Sequence, residues 1–539
     1  MFILDNAFIL FRRAMSTVLV FLISLSYPLG LNIDFQGVRY DKKSFVSYSF
    51  YDSTRKIQMN EYLEKNKTYD IHLARNETEA CQIVIRSRNK SNSNKYSVEF
   101  TEFKNENGDI LKSTINEEHY INCASIRDFG TYPDALVPIA RIKEYTLASQ
   151  INWPFYIQVQ ADESTPAGTY TAQVIVNRLK GDGDLQLIAD VSATVWDFDL
   201  PAAPTMDTAF GLNRHYIQKV HNSAGTPGLT QELYEQYYEH LLQRKISPYT
   251  LPVDILSNQA DAYMSDPRVK SFRLPYPGND ALLQQYYAKV QSNPDWAAKA
   301  YFYPIDEPWG LEDYARYNAI TDRLDRLCPG YNMVTPFGGL SFKEDGQTYY
   351  GAYLQAKSNI VCPISSNFSD KKFLSQMDER RADGSKIWWY ICCAPNPDTK
   401  YPNIFTQSDG IEGRILMWQQ KMVNVTGLLY WDTTYWNNVV SPWASAWTTP
   451  WTGDDTFSDG SLFYPGSNEP LSSLRLEYIS DGIEDFEYLT MAEELFGRDY
   501  VDKKIKKVVN TLEDYTHKDT CLAQVRLEIG YDIEARLAQ

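Results

Sequence analysis

The sequence predicts a multidomain chain, an N-terminal antiparallel β-sandwich followed by a (β/α)8 TIM-like barrel with a helical C-terminal tail. Three observations predict it. The first part repeats short β-branched and aromatic runs separated by Gly, Asn, Asp and Pro. The stretch Val195-Trp-Asp-Phe-Asp-Leu-Pro-Ala-Ala-Pro204 then reads as a last strand entering a Pro-rich linker. Beyond it, short apolar strands alternate with helical patterns, as parallel βα units do. The length agrees, since 539 residues at 43% apolar composition exceed one ordinary core.

Each element follows in order. Arg12 and Arg13 precede an apolar run, Val18 to Leu25, and then small and turn residues. That pattern predicts a secretory signal peptide over residues 1–30, with Met1 or Met15 as the start, and an exported, periplasmic or extracellular protein. The run is short for a membrane anchor, and no later segment is long enough to span a bilayer. Residues 31–203 form the sandwich, with strands in Ser44–Phe50, Ala80–Arg86, Tyr96–Phe103, Phe155–Gln160, Thr169–Asn177 and Leu187–Val195. Residues 204–495 form the barrel. Its strands are expected at Thr208–Leu212, Pro248–Pro252, Ala300–Ile305, Met333–Phe337, Ile360–Pro363, Lys386–Cys392 and Gly427–Trp431. Helices are expected at Gln231–Arg244, Asp280–Gln291, Glu312–Leu327, Lys371–Arg381 and Glu412–Val423. A helical stretch opens at Gly482 with Asp481 as its N-cap, and residues 496–539 form a tail packed on the barrel. No self-similar repeat points to a propeller or solenoid.

Composition narrows the function. With 52 Lys plus Arg against 69 Asp plus Glu, the net charge is −17, which repels phosphate backbones and excludes nucleic acid as a partner. The 39 Tyr, 24 Phe and 12 Trp fit a surface for the C–H faces of sugars, and fit strand-rich domains equally well. Seven scattered cysteines make neither a disulfide framework nor a metal site, and the six histidines form no ligand cluster. Five Asn-X-Ser/Thr sequons occur, at Asn66, Asn76, Asn89, Asn367 and Asn424. HExxH, P-loop, strand-following GxGxxG and GxSxG motifs are all missing, so no cofactor or metal is expected.

Barrel chemistry sits at the C-terminal ends of strands. In Tyr301-Phe-Tyr-Pro-Ile-Asp-Glu-Pro-Trp309, two adjacent carboxylates follow a strand that Pro308 stops, beside Tyr303 and Trp309. Neighbours on a regular strand point to opposite faces, so Asp306 and Glu307 share a pocket only where the strand ends. There one carboxyl is pushed up as a proton donor while the other stays ionised, the division of labour that glycosidic cleavage needs. At the end of Lys386–Cys393, Trp388, Trp389 and Tyr390 alternate faces, and at least one of the tryptophans is core. After Gly427–Trp431, the residues Trp431, Asp432 and Trp436 could form a sugar wall. Asp432 is either a second catalytic carboxylate or the cap of a turn. Arg214 and His215, at the end of the first barrel strand, are further candidates for substrate contact.

These residues carry a resemblance. Four stretches, Tyr303–Pro308, Gly427–Asp432, Asp459–Gly466 and Leu474–Leu489, resemble glycoside hydrolase family 123. In the first half Ala74–Glu77, Thr165–Tyr170 and Val195–Phe198 resemble the family's N-terminal domain. The resemblance implies an exo-acting β-N-acetylgalactosaminidase that retains configuration by substrate-assisted catalysis. It implies Glu307 as general acid/base and Asp306 as the residue that orients the substrate's 2-acetamido group. The partner is then a glycan or glycoconjugate. Tyr303, Trp389, Tyr390, Trp431, Asp432, Trp436 and Arg214 are expected to bind it. A different hexosamine or neutral sugar, or a non-catalytic carbohydrate-binding surface protein, are the other readings.

Overall fold

The computed structural model describes residues 46–87, 95–124, 129–179, 186–223, 230–339, 341–344, 347–350, 357–436, 442–444, 446 and 455–539. The expected signal peptide lies outside the described residues.

The first half is β-rich. Its strands are β1 Val46–Asp52, β2 Asp70–Arg75, β3 Glu77–Ser87, β4 Lys95–Phe100, β5 Phe103–Lys104 and β6 Ile110–Ala124. They continue as β7 Phe129–Pro138, β8 Ile142–Thr146, β9 Asn152–Ala161, β10 Gly168–Arg178 and β11 Gln186–Asp199. The expected sandwich is one eleven-stranded sheet, ordered β1-β3-β9-β6-β5-β10-β11-β2, with β4, β7 and β8 attached. The two-residue β5 pairs with β6 on one side and β10 on the other, which stitches two layers into one curled sheet. Pairing is antiparallel except between β11 and β2. Alternation explains the inward face: Tyr170, Ala172, Val174 and Val176 of β10 are buried and the intervening residues are not. They meet Phe50, Leu73, Val98, Phe155 and Val191 in one core.

In the second half a parallel five-stranded sheet runs β12-β20-β19-β18-β15. Its strands are β12 Asp207–Phe210, β15 Val334–Phe337, β18 Ile360–Pro363, β19 Lys386–Ile391 and β20 Gly427–Tyr430. A parallel pair, β13 Phe272–Leu274 and β14 Ala300–Phe302, lies beside it, and β16 Ser341–Glu344 and β17 Gln347–Tyr350 form a separate antiparallel pair. Single backbone links continue the order past both edges. Pro248 bridges Phe210, Arg273 N donates to Tyr249 O, and Phe302 bridges Met333. The strand expected at Pro248–Pro252 is therefore only a bridge, because neither proline can donate to a ladder. Strand β13 was not expected, being three residues long ahead of a Pro-Tyr-Pro-Gly turn.

Helices alternate with these strands. Among them are α1 Arg214–Ser223, α2 Gln231–Leu242, α3 Ala260–Ser265, α4 Asp280–Gln291, α5 Pro294–Lys299 and α6 Gly310–Leu327. The series goes on with α7 Lys371–Ala382, α8 Glu412–Met422, α9 Leu474–Phe496, α10 Arg498–Ile505 and α11 Asp519–Leu537. Helix α9 corrects an expectation. Ser473 is its N-cap, accepting from Leu476 N at 3.2 Å, and Asp481 sits buried in mid-helix. The helix is buried continuously from Leu474 to Leu489, so no polar face marks where it starts. Gly482 is needed inside it, since a Cβ there would lie 2.9 Å from the Gly413 carbonyl of α8.

Helix α9 joins the two halves. Arg475 grips Asp134 of β7 through Nε at 2.9 Å and Nη2 at 2.8 Å, with both residues buried. Arg414 of α8 bonds Asp485 at 2.7 Å and Glu79 of β3 at 3.4 Å. The tail, expected on the barrel alone, also reaches the first half. Helix α11 packs on β1, β2 and β11, and Arg526 bonds Glu77. No described helix is long and apolar enough to cross a membrane.

Candidate functional site

The site is built where β14 ends. Past Phe302 the chain runs through Pro304 and Pro308, whose rings forbid further pairing, so Asp306 and Glu307 leave the sheet. Glu307 sits at φ 39°, the left-handed region that costs a side-chain-bearing residue roughly 1–3 kcal/mol. Its contacts hold it there.

Each carboxylate of the pair has its own tyrosine. The Tyr303 hydroxyl donates to Asp306 Oδ1 at 2.7 Å. The Tyr390 hydroxyl, from the end of β19, donates to Glu307 Oε1. Burial pushes both phenols well above their ordinary range, and the acid beside each pushes further, so both remain protonated donors. The Glu307 carboxyl is itself pushed up, chiefly by desolvation; the Asp306 charge adds to this and the Tyr390 hydrogen bond opposes it. Gly338, just past β15, leaves the room these groups occupy. A Cβ there would lie 3.2 Å from Glu307 Oε1 and 3.4 Å from the Tyr390 hydroxyl.

Alternation sorts the aromatics of β19. Trp388 and Tyr390 face inward with Ala209, Tyr301, Val334, Cys362 and Leu429. Trp389 faces outward and is fully buried against Phe368, ring centroids 5.7 Å apart. It cannot touch a substrate, which corrects one expectation. Trp436 is a second correction. It is fully buried, its indole N–H donating to Ser461 Oγ at 2.9 Å, among Tyr237 and Phe463.

Trp431 keeps a partly accessible side chain. Its Nε1 donates to Asp459 at 3.1 Å and its ring lies 4.7 Å from that of Tyr435. Asp432 is a turn cap: one oxygen accepts from Thr434 N at 2.8 Å and Thr434 Oγ1 at 3.1 Å. It is 5% exposed, and burial pushes its carboxyl up to about 7. Arg214 is exposed at the start of α1, bonded to Gln231 and stacked 4.4 Å over Tyr234.

Sequence reasoning missed Tyr249, Asp459 and Gly338. Tyr249 links the strand ends: its hydroxyl donates to Trp431 O at 2.9 Å and its ring meets that of Tyr303 edge-on at 6.4 Å. Its position directly after Pro248, at an expected strand, was the available signal. Asp459 stood in a resembling stretch without a role. Among the described residues no group of three or more His, Cys, Asp or Glu is placed to hold a metal ion.

Comparison with known proteins follows this geometry. Residues 258–492 match the glycoside hydrolase 123 catalytic domain, so the resemblance read from the sequence is borne out. No curated protein matches the chain in sequence. Among solved structures, a family 123 glycoside hydrolase from Clostridium perfringens, studied for glycolipid glycan hydrolysis, superposes with a TM-score of 0.65 at 14% identity. The match covers 91% of this chain and 98% of that one. That similarity shows a shared fold. A glycosyl hydrolase family 2 member from Bacteroides cellulosilyticus gives a TM-score of 0.23 at 9% identity, covering 67% of this chain and 44% of that one, too low to support an argument.

Proposed function

We propose that this chain, which carries a glycoside hydrolase 123 catalytic domain over residues 258–492, is an exo-acting glycosidase removing terminal β-linked N-acetylgalactosamine. The observation that carries the reading is the adjacent acid pair in which each carboxylate is held by a separate tyrosine.

In this reading the substrate's 2-acetamido oxygen attacks the anomeric carbon, while Glu307 donates its proton to the departing glycosidic oxygen. The raised Glu307 carboxyl keeps its proton to a higher pH than an ordinary carboxyl, which suits that donation. Asp306 accepts the acetamido N–H, orienting the group and stabilising the positive charge that develops on it. Water then attacks the same carbon, Glu307 takes its proton, and configuration is retained. Adjacency suffices because the substrate supplies its own nucleophile, so neither carboxylate has to reach the anomeric carbon. Tyr303 and Tyr390 fix the two carboxylates, and the partly accessible Trp431 offers an apolar face to the sugar.

The ring of parallel segments from β12 through Pro248, β13, β14, β15, β18, β19 and β20 supports reading residues 204–495 as a (β/α)8 barrel. The basic and apolar residues 12–25 support export.

The deciding experiment is a panel of nitrophenyl glycosides with wild type and Glu307→Gln. Cleavage of the β-N-acetylgalactosaminide, its loss in the variant, and inhibition by a thiazoline analogue support the reading. Full activity in Glu307→Gln sinks it, and preferential cleavage of another glycoside reassigns the sugar.

A further inference from the structure

Of the three tryptophans expected to bind the sugar, Trp389, Trp431 and Trp436, only Trp431 keeps an accessible side chain. Two consecutive residues of a later loop hold its ring. Asp459 Oδ1 accepts from the indole N–H at 3.1 Å and from the Tyr430 hydroxyl at 3.3 Å. Gly460, at φ 74°, presses against the ring edge, where a Cβ would lie 2.3 Å from Trp431 Cζ2. The Tyr430 hydroxyl accepts from Gly460 N at 2.7 Å, which closes the loop onto the strand.

Asp459 is 1% exposed, and burial pushes its carboxyl up to about 7. Burying a carboxylate among indole and phenol rings is costly, and the fold keeps one where the indole donor needs an acceptor. The same residue is tied to the acid pair through its backbone. The Trp431 carbonyl accepts from Tyr249, whose ring abuts Tyr303, whose hydroxyl holds Asp306. The Trp431 backbone and the Asp306 carboxylate are thus linked through one run of contacts.

We propose that Asp459 is a positioning residue of this site: it fixes the Trp431 indole as the apolar wall against which the substrate sugar packs. The role in binding rests on the glycosidase reading, whereas the hold on the indole does not. Asp459 does not touch substrate itself.

The test labels the full chain with 15N-tryptophan and identifies the Trp431 indole resonance by its loss in Trp431→Phe. Asp459→Ala should shift that resonance and expose its proton to exchange. On the aryl glycoside that wild type cleaves, it should raise KM about tenfold, as expected for one lost hydrogen bond, with kcat held within about twofold. Asp459→Asn, which keeps an acceptor oxygen, should restore most of the KM. In the Trp431→Phe background, Asp459→Ala should add nothing further. An unmoved indole resonance, or an equal KM loss in that background, overturns the assignment. If wild type cleaves no aryl glycoside, the glycosidase reading falls, and the indole resonance alone still decides whether Asp459 holds Trp431.

Discussion

Tyr390 donates its hydroxyl to the Glu307 carboxylate across 83 positions of sequence. The bond does two things at once. It fixes the Glu307 side chain on a backbone in the left-handed region, and it favours the ionised carboxylate against the burial that disfavours it. The proton affinity of the proposed acid/base is therefore raised chiefly by burial, lowered by the Tyr390 hydrogen bond and raised again by the Asp306 charge, and the last two are each removable by a single substitution.

The first consequence concerns the acid pair. Glu307→Gln should lower kcat/KM by about 10²–10⁴-fold on an aryl N-acetylgalactosaminide, the usual share of general acid–base catalysis. Asp306→Asn should lose activity on N-acetylated glycosides while the thermal midpoint stays near that of wild type, because Asp306 is exposed. Steady-state kinetics with a melting curve for each variant checks both.

The pH profile carries a sign. The acid works when protonated, so activity falls as pH rises through the Glu307 value, which is raised above the ordinary carboxyl range. Tyr390→Phe removes the contact that lowers it, and the alkaline limb of kcat/KM should move to higher pH. Asp306→Asn removes a charge that raises it, so the limb should move to lower pH on whatever activity remains. Identical limbs in all three proteins would remove Glu307 as the titrating group.

Three tryptophans separate binding from stability. Trp389 and Trp436 are fully buried, so alanine at either should cost about 3–5 kcal/mol of folding stability. Trp431→Ala should instead raise KM with a smaller change in stability. Urea titrations beside KM measurements decide this, and a reversed pattern would contradict the burial.

Among the links between the halves is the buried Arg475–Asp134 ion pair. Arg475→Ala removes the ion-pair partner of Asp134, which is 0% exposed and shifted down against its burial chiefly by that guanidinium, and should cost about 3–5 kcal/mol. Replacing both residues by apolar ones of similar volume should cost less than removing Arg475 alone. A double-mutant unfolding cycle measures the difference.

Stability should fall as pH rises through neutrality. Asp432, Asp459 and Glu412 are each pushed up to about 7 by burial, while their unfolded counterparts ionise near about pH 4. Between these values the folded chain binds more protons, so the stability they contribute is full below about pH 4 and is lost as pH passes about 7. Glu117, Asp134 and Asp266 are shifted down and act oppositely, their stability lost only in strong acid. Melting curves from pH 5 to 8 should show a declining midpoint, flattened in Asp432→Asn.

The sequence by itself determined what is local. Period-two runs marked β1, β3, β9, β10 and β11, and Asp280–Gln291 was read to the residue, because alternation and caps are written into neighbouring positions. Pro308, directly after Asp306 and Glu307, placed the acid pair at a strand end for the same reason. Tertiary structure decided the rest. Alternation says that Trp388 and Trp389 face opposite ways, but only packing against Phe368 shows which one points outward. A strand-end Asp is ambiguous until Thr434 supplies the donors that make Asp432 a cap. Helix α9 hid its start because both halves cover it, leaving no polar stripe to read. The tyrosine on Glu307 and the aspartate on Trp431 come from other strands and loops. Such partners are chosen by the geometry of the folded chain, and no spacing in the sequence records them.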